Sequence, residues 1–447
     1  MTELLETERT SDSDTGSLGR ALAVRDFRLL LGGTATSLLG DQFALIATPW
    51  LVLQLTDDPL ALGFVLALEG IPRAAFMLVG GAVTDRLAPR RVMLVADLVR
   101  GGLVAAMASV VLAGALQMWM LYGFALCFGL VAGFAVPAEN SIVPALLRRD
   151  DLQTGNAMMM GAAQLAGFVG PTLAGAAIAL HDSASRGVGI AYVIDAATFA
   201  LSAWAFALIR AARSPVVADQ DVGLADSIRI GLRHIWDDPA MRFVVSVLAA
   251  VNLFVVGPLL VGIPLLAHDR LAANATAFGV LMGAFAIGNL VGLVVAASTP
   301  RPSSATMRAV VVGFLAANGV VVMSLGAVTH VGTDAVLLAA LGGGNGYLAI
   351  VLFTWVQGRT PPELLGRTVS IVTFAGIGLV SVSQAAAGAI ARWDLDALFA
   401  MSGLLVLATT VWAASRPGLQ ALTDSLGGVR PTAIPNFETT PEKEPTP

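Results

Sequence analysis

"SLLGDQFALIATPWLVLQL", Ser37 to Leu55, is apolar almost throughout, yet it carries Asp41. The apolar run around it extends from Phe27 to Gln54, with Asp41 near its midpoint. A helix needs about 20 mostly apolar residues to cross a bilayer, and this run has them. A carboxylate at the centre of such a helix costs about 2.5–3.5 kcal/mol on insertion scales. Either a partner offsets that cost or the residue has a use. Residues at −7, −4 and +7 share the face of Asp41, and these are Thr34, Ser37 and Thr48. Such a polar stripe belongs against protein or a watery cavity, not lipid.

Outward from this run the same texture repeats. Hydrophobic residues make up 56% of the chain and charged residues 13%, with a mean hydropathy of +0.79. Soluble domains carry about 25% charged residues, so the chain reads as a polytopic membrane protein. Twelve spans are predicted: Phe27–Gln54, Leu60–Thr84, Val92–Gly114, Met118–Pro137, Gly155–Leu180, Gly187–Ile209, Phe243–Ala267, Ala275–Ser298, Met307–Val328, Thr333–Val356, Val369–Ala391 and Leu395–Ala414. Arg186, Arg270 and Arg392 fall in the loops of one side, and Arg73 and Arg100 within spans. The remainder of the 26 basic residues lie on the other side. By the positive-inside rule that side is cytoplasmic and holds both termini.

The first 26 residues are polar and lack the basic start and short apolar core of a signal peptide; they read as a cytoplasmic tail. Residues 27–210 form one group of six spans and 241–415 another. Between them, 211–240 is a linker that is either plainly solvated or contains a short amphipathic helix around "SIRIGLRHIWDDP". The tail 416–447, rich in Pro and Thr, is expected to be disordered. The halves repeat weakly. "DFRLL" at Asp26 answers "AMRFV" at Ala240, and "ALGFVLALEG" at Ala61 answers "AFGVLMGAFA" at Ala277, at nearly equal offsets. Duplicated six-helix halves are a transporter architecture.

Several chemistries are excluded. No basic block invites a nucleic acid. The single Cys127 rules out an internal disulfide and a multi-Cys metal site. The four His lie at segment ends or in loops, so no metal site and no buried His relay is expected. "LGGGNGYLA", Leu341–Ala349, is Gly-rich but falls inside a span, and no nucleotide-binding loop is present. No paired acid, His cluster or ligand set lies near a membrane surface, which argues against an integral-membrane enzyme.

Between spans 2 and 3 stands "GGAVTDRLAPRR", Gly80–Arg91. This loop resembles the signature loop of the major facilitator superfamily, through Gly81, Asp85, Arg86, Arg90 and Arg91; Ala88 replaces a usual Gly and Pro89 is unusual. The resemblance implies a cytoplasmic gate latch, in which Arg side chains bridge to Asp85 or to helix ends of the other half; otherwise the loop is a positive-inside anchor. The matching loop in the second half, "STPRPSSATMR", lacks the acid, so any latch is asymmetric. Span 5 carries "GAAQLAGFVGPTLAGAA", which resembles that family's antiporter motif through Gly167, Gly170, Pro171 and Gly175; ordinary small-residue packing is the other reading. "VPAENSIVPALLRRDDLQTGNA" and "VIDAATFALSAWAF" are similar to a bacterial branch that includes macrolide efflux proteins, enterobactin exporters and secretion effectors.

The resemblance implies an all-α fold of two pseudo-repeated six-helix bundles and export of a hydrophobic or amphipathic small molecule by alternating access. The driving force would be exchange for protons, with no cofactor. The expected setting is a bacterial cytoplasmic membrane, with a monomer whose partners are substrate, protons and lipid. Import of a nutrient on the same fold is the alternative. Asp41 is the first candidate for proton or cation coupling and Glu69 the second; Glu69 and Arg73 are four apart and could pair. Asp41 could instead be structural, neutralised by Arg73. Asp97–Arg100 and Asp195 read as structural. Thr34, Ser37, Thr48, Gln164, Asn252, Asn289, Asn345 and Gln384 are candidates for the substrate cavity.

Overall fold

A computed structural model describes residues 17–181, 183–210, 224–271, 275–299, 303–328, 330–360 and 362–426. Several spans begin where the sequence can start a helix. Asp58, Asp238 and Asp394 cap their helices through side-chain oxygens, and Pro59 and Pro239 occupy the first helical position. The helices are α1 (17–23), α2 (Arg25–Thr56), α3 (Pro59–Arg86), α4 (Pro89–Leu112), α5 (Met118–Leu146), α6 (Leu152–Ala179) and α7 (Ala184–Leu208). The chain continues with α8 (Leu224–Asp237), α9 (Pro239–Val251), α10 (Gly257–Asp269), α11 (Ala275–Ser298), α12 (Ser304–Ala327), α13 (Val331–Arg359), α14 (Pro362–Ala391), α15 (Leu395–Ala414) and α16 (Pro417–Leu426). Among the described residues twelve helices are long and apolar enough to cross a membrane, with α9 and α10 joined into one. Their junction, Asn252–Val256, is a π-helical segment. Pro258 follows it; a proline ring clashes with the carbonyl four residues back, here that of Phe254, and the wider turn relieves the clash.

Three sequence expectations change. Span 4 does not stop at Pro137, because α5 continues through Pro137 and Pro144 to Leu146. The expected N-terminal tail contains α1, whose Ala21 is buried and whose Arg20 pairs with Asp151 at 2.9 Å. The expected disordered tail contains α16, with Leu419 and Leu422 buried and Ser425 accepting a hydrogen bond from the Trp355 indole at 2.7 Å. Residues 1–16 and 427–447 lie outside the described ones. Within the expected linker, α8 carries Ile235 into the core, while 211–223 lie outside the described residues.

The repeat is visible in the packing. In the first half α3 lies on α5 and α4 on α7; in the second, α11 lies on α13 and α12 on α15. Arg90 donates to the carbonyls of Phe206 (2.8 Å) and Ala207 (2.6 Å) at the end of α7. Its counterpart Arg308 donates to Ala414 O (3.2 Å) at the end of α15. Guanidinium groups thus neutralise the negative ends of two corresponding helices. Nearby, burial raises the Asp238 carboxyl but the hydrogen bond and charge of Arg359 outweigh it, so its pKa lies below the usual value.

The halves meet through two helix pairs, α3 on α14 and α6 on α11. Both crossings are glycine against glycine. A Cβ on Gly63 would lie 2.9 Å from the Cα of Gly388 and 2.5 Å from Gln384 O. A Cβ on Gly279 would lie 3.1 Å from the Cα of Gly175 and 2.5 Å from Pro171 O. Gly63 and Gly279 occupy matching places in the two repeats, "ALGFV" and "AFGVL". Both crossings fall toward the face away from the described chain ends. On that face Arg392 approaches Asp58 (3.6 Å), and His268 lies between Asp57 (3.8 Å) and Asp269 (2.8 Å) with its ring 5.5 Å from that of Trp50. The halves are pinched shut there.

A methyl group has no room at either crossing. Gly63→Ala, or Gly279→Ala, is expected to part the halves on this face. In a Cys127→Ser background, a cysteine placed at Trp50 should then react faster with a membrane-impermeant thiol reagent than it does with both glycines intact. Equal rates would mean that other contacts close the face.

Candidate functional site

The deep charges gather in the first half, on one side of α2. Arg100 of α4 donates to Asp97 on its own helix at 2.5 Å and lies 3.8 Å from Glu139 of α5. It also stacks 4.8 Å above the ring of Phe199. The other oxygen of Asp97 accepts from Ser202 of α7 at 2.6 Å. Asp41 faces this group: the charges that act on it are those of Arg100, Glu139, Asp97 and Glu69. Asp195 of α7 stands against Gly40, so close that a Cβ there would lie 2.5 Å from the Asp195 carboxyl. Gly40 therefore admits Asp195 beside Asp41.

Arg73 reaches Glu69 at 3.9 Å, as the i, i+4 spacing predicts. Its proposed pairing with Asp41 is not made. Among the described residues no ion pair within 4 Å involves Asp41, and the cation nearest in effect is Arg100. The expected end of span 4 at Pro137 leaves Glu139 outside the membrane, whereas α5 carries it inside. Its signal was the apolar Ile142 and Val143 beyond it, which continue a helix.

The gate loop is divided. The side chains of Asp85 and Arg86 lie outside the described residues. Gly81 has open space where a side chain would be, and Arg91 is exposed. Arg90 binds helix ends of its own half, not of the other. The loss of the acid in the second loop leaves this part symmetric, since Arg308 repeats it.

A cavity of about 310 Å³ lies between the halves. Its polar wall is built of Gln42, Gln164, Asn289, Asn318 and Asn345, set among Leu, Val, Ile, Met and Phe side chains. Gln164 donates to Asn289 at 3.0 Å, a hydrogen bond from one half to the other across the cavity. Gly167 and Pro171 also line it, whereas Gly170 packs on Gln42 and Gly175 belongs to the crossing with Gly279. Among the described lining residues none is charged.

Of the expected cavity residues, Gln164, Asn289 and Asn345 are on this wall. Thr34, Ser37 and Thr48 are not: they are buried within the first half, where Thr48 meets the hydroxyl of Tyr192 at 2.9 Å. Their shared face is real, but it is turned to α7. Asn252 opens the π-helical segment and points toward Gly376, and Gln384 is buried in α14 near the Gly63 crossing. Gln42 was hidden beside Asp41 in "GDQF", one position around the helix.

The chain belongs to the major facilitator superfamily, whose family model matches residues 30–383. It is 27% identical over 408 residues to the multidrug efflux pump Tap of Mycolicibacterium fortuitum, covering 88% of this chain and 96% of that one. The pump of the same name from Mycobacterium tuberculosis is 27% identical over 410 residues, covering 88% and 94%. Among solved structures, an inward-facing bacterial homologue of the human lysosomal transporter Spinster aligns with a TM-score of 0.67 at 12% identity, over 90% of this chain and 98% of that chain. A D-xylose–proton symporter aligns with a TM-score of 0.66 at 13% identity, over 87% and 96%. The fold is thus that of a multi-pass membrane transporter rather than an enzyme.

Removing one partner of a buried ion pair costs about 3–5 kcal/mol, because the other charge is stranded. Arg100→Gln is expected to lower folded yield and melting temperature in detergent. Adding Asp97→Asn should recover part of the loss. Equal stability of native, single and double variants would show that Arg100 is not the counter-charge of this cluster.

Proposed function

We propose that this chain exports neutral, lipophilic small molecules bearing hydrogen-bonding groups, by alternating access and in exchange for protons. The observation that carries the reading is the wall of the central cavity: five amide side chains among apolar ones, with no charge among the described lining residues. Amides offer both donors and acceptors, and the apolar remainder rewards burial of a lipophilic body. A fixed cationic cargo would have to shed its water there without a counter-charge. The curated relatives are named as multidrug efflux pumps, which favours export over import.

The arginine distribution puts the described chain ends on the cytoplasmic side of a bacterial cell membrane. The pinched face is then the outer one, and the cavity is poised to take cargo from within. Rocking to the opposite state requires the Gln164–Asn289 hydrogen bond and the two glycine crossings to open. Energy comes from the proton gradient, with no cofactor. Asp41 carries the coupling: it is next to Gln42 on the cavity wall but faces the acid cluster. The protein works as a monomer.

The test is transport in proteoliposomes with an imposed pH gradient, using matched pairs of neutral lipophiles and their quaternary ammonium analogues. The neutral member of each pair should accumulate and its analogue should not. Asp41→Asn should abolish gradient-driven accumulation while leaving exchange of substrate for substrate. Gln164→Ala should raise KM about fivefold for cargo with hydrogen-bonding groups, the worth of one hydrogen bond. Equal transport of the ammonium analogues would overturn the cargo assignment, and unchanged accumulation in Asp41→Asn would overturn the coupling role.

A further inference from the structure

Asp195 has no place in the ion pairs described above. It is completely buried, and neither carboxyl oxygen has a hydrogen-bond partner. The hydroxyl of Thr198 lies beside this carboxyl and donates to the backbone carbonyl of Asp195, at 2.7 Å. An unpaired, unsolvated carboxylate ion costs several kcal/mol. The charges that bear on Asp195 are Asp41 from α2, and Arg100 and Asp97 from α4; α6, which also packs on α7, contributes none to it. Arg100 is the cation of this group, and it is committed to Asp97 by a 2.5 Å hydrogen bond. Arg100 acts on Asp41 as well; that leaves Asp195, set against Gly40 beside Asp41, with neither an ion pair nor a side-chain hydrogen bond.

The two carboxyl groups differ in access. Asp41 is partly exposed and adjoins Gln42 on the cavity wall, whereas Asp195 is sealed. We propose that Asp195 is the inner seat of an exchangeable proton that it shares with Asp41, so that the coupling site is a pair of carboxyl groups rather than Asp41 alone. The inference rests on the coupling role assigned to Asp41 above. In the exchange the O–H bond on one carboxyl breaks as an O–H bond forms on the other, and no other group is consumed. A proton fits better than Na⁺. A metal ion needs several oxygen ligands, whereas beside Asp195 the described residues offer the Thr198 hydroxyl and the Asp41 carboxyl.

The experiment is infrared difference spectroscopy of the full chain in lipid nanodiscs, read at the carbonyl stretch of an un-ionised carboxylic acid. The native protein is expected to carry such a band in the absence of cargo. Asp195→Asn should remove it, and Asp41→Asn, which leaves Asp195 in place, should shift it. A band that is absent in the native protein, or untouched by Asp195→Asn, would overturn the proposal. A band that changes on adding Na⁺ at fixed pH would overturn the choice of proton. In the proteoliposome assay, Asp195→Asn should lower the pH-gradient-driven accumulation of a neutral lipophile at least tenfold while leaving substrate exchange. Full accumulation in that variant would overturn the shared seat even if Asp41→Asn remains uncoupled. If Asp41→Asn itself stays coupled, the fault lies in the earlier reading.

Discussion

The two halves touch by backbone. At Gly63–Gly388 and at Gly175–Gly279, helices of different halves approach until their main chains are in van der Waals contact. In lipid no hydrophobic driving force joins helices, so close packing of small residues has to supply the association. Because Gly63 and Gly279 are repeat mates, the two contacts are related by the pseudo-symmetry of the fold and close the same face together. The polar contacts of that face, Asp58–Arg392 and Asp57–His268, surround the crossings with reversible links between exposed and half-buried groups. Such pairs contribute little each and can break without a large penalty. The arrangement holds one conformation firmly enough to form a cavity and loosely enough to open.

Charge is distributed unequally between these similar halves. The acid cluster held by Arg100 lies within the first half, on α2, α4, α5 and α7 with Glu69 of α3 beside it, while the second half supplies Asn289, Asn318 and Asn345 to the cavity. Both halves keep the same frame, including the guanidinium caps of Arg90 and Arg308 on the ends of α7 and α15. What differs is the side chains hung on that frame.

Most of the frame was legible from hydropathy and arginine placement, because the bilayer demands long apolar helices and leaves few other solutions. Boundaries failed where a local rule was overridden. Pro137 reads as a stop, yet α5 continues, since neighbouring helices can tolerate the missing hydrogen bond. In α16, the Pro417 start and the spacing of Leu419 and Leu422 carried a helix signal that the Pro- and Thr-rich sequence beyond it obscured. In the site, periodicity found the stripe of Thr34, Ser37, Asp41 and Thr48 but could not say which helix it faces. It faces α7, because Gly33 and Gly40 let that helix approach. Gln164 and Asn289 were recognisable as deep amides; that they bond to each other across the halves is a fact of tertiary packing, which one sequence does not encode locally.

The division between a half that holds the buried charges and a cavity walled mostly by the other half has an evolutionary consequence. Substitutions at Asn289, Asn318 or Asn345 alter what the pocket recognises without touching Arg100 or its carboxylates. The cavity wall can therefore change in the second half by single steps, while the charge cluster of the first half is inherited intact.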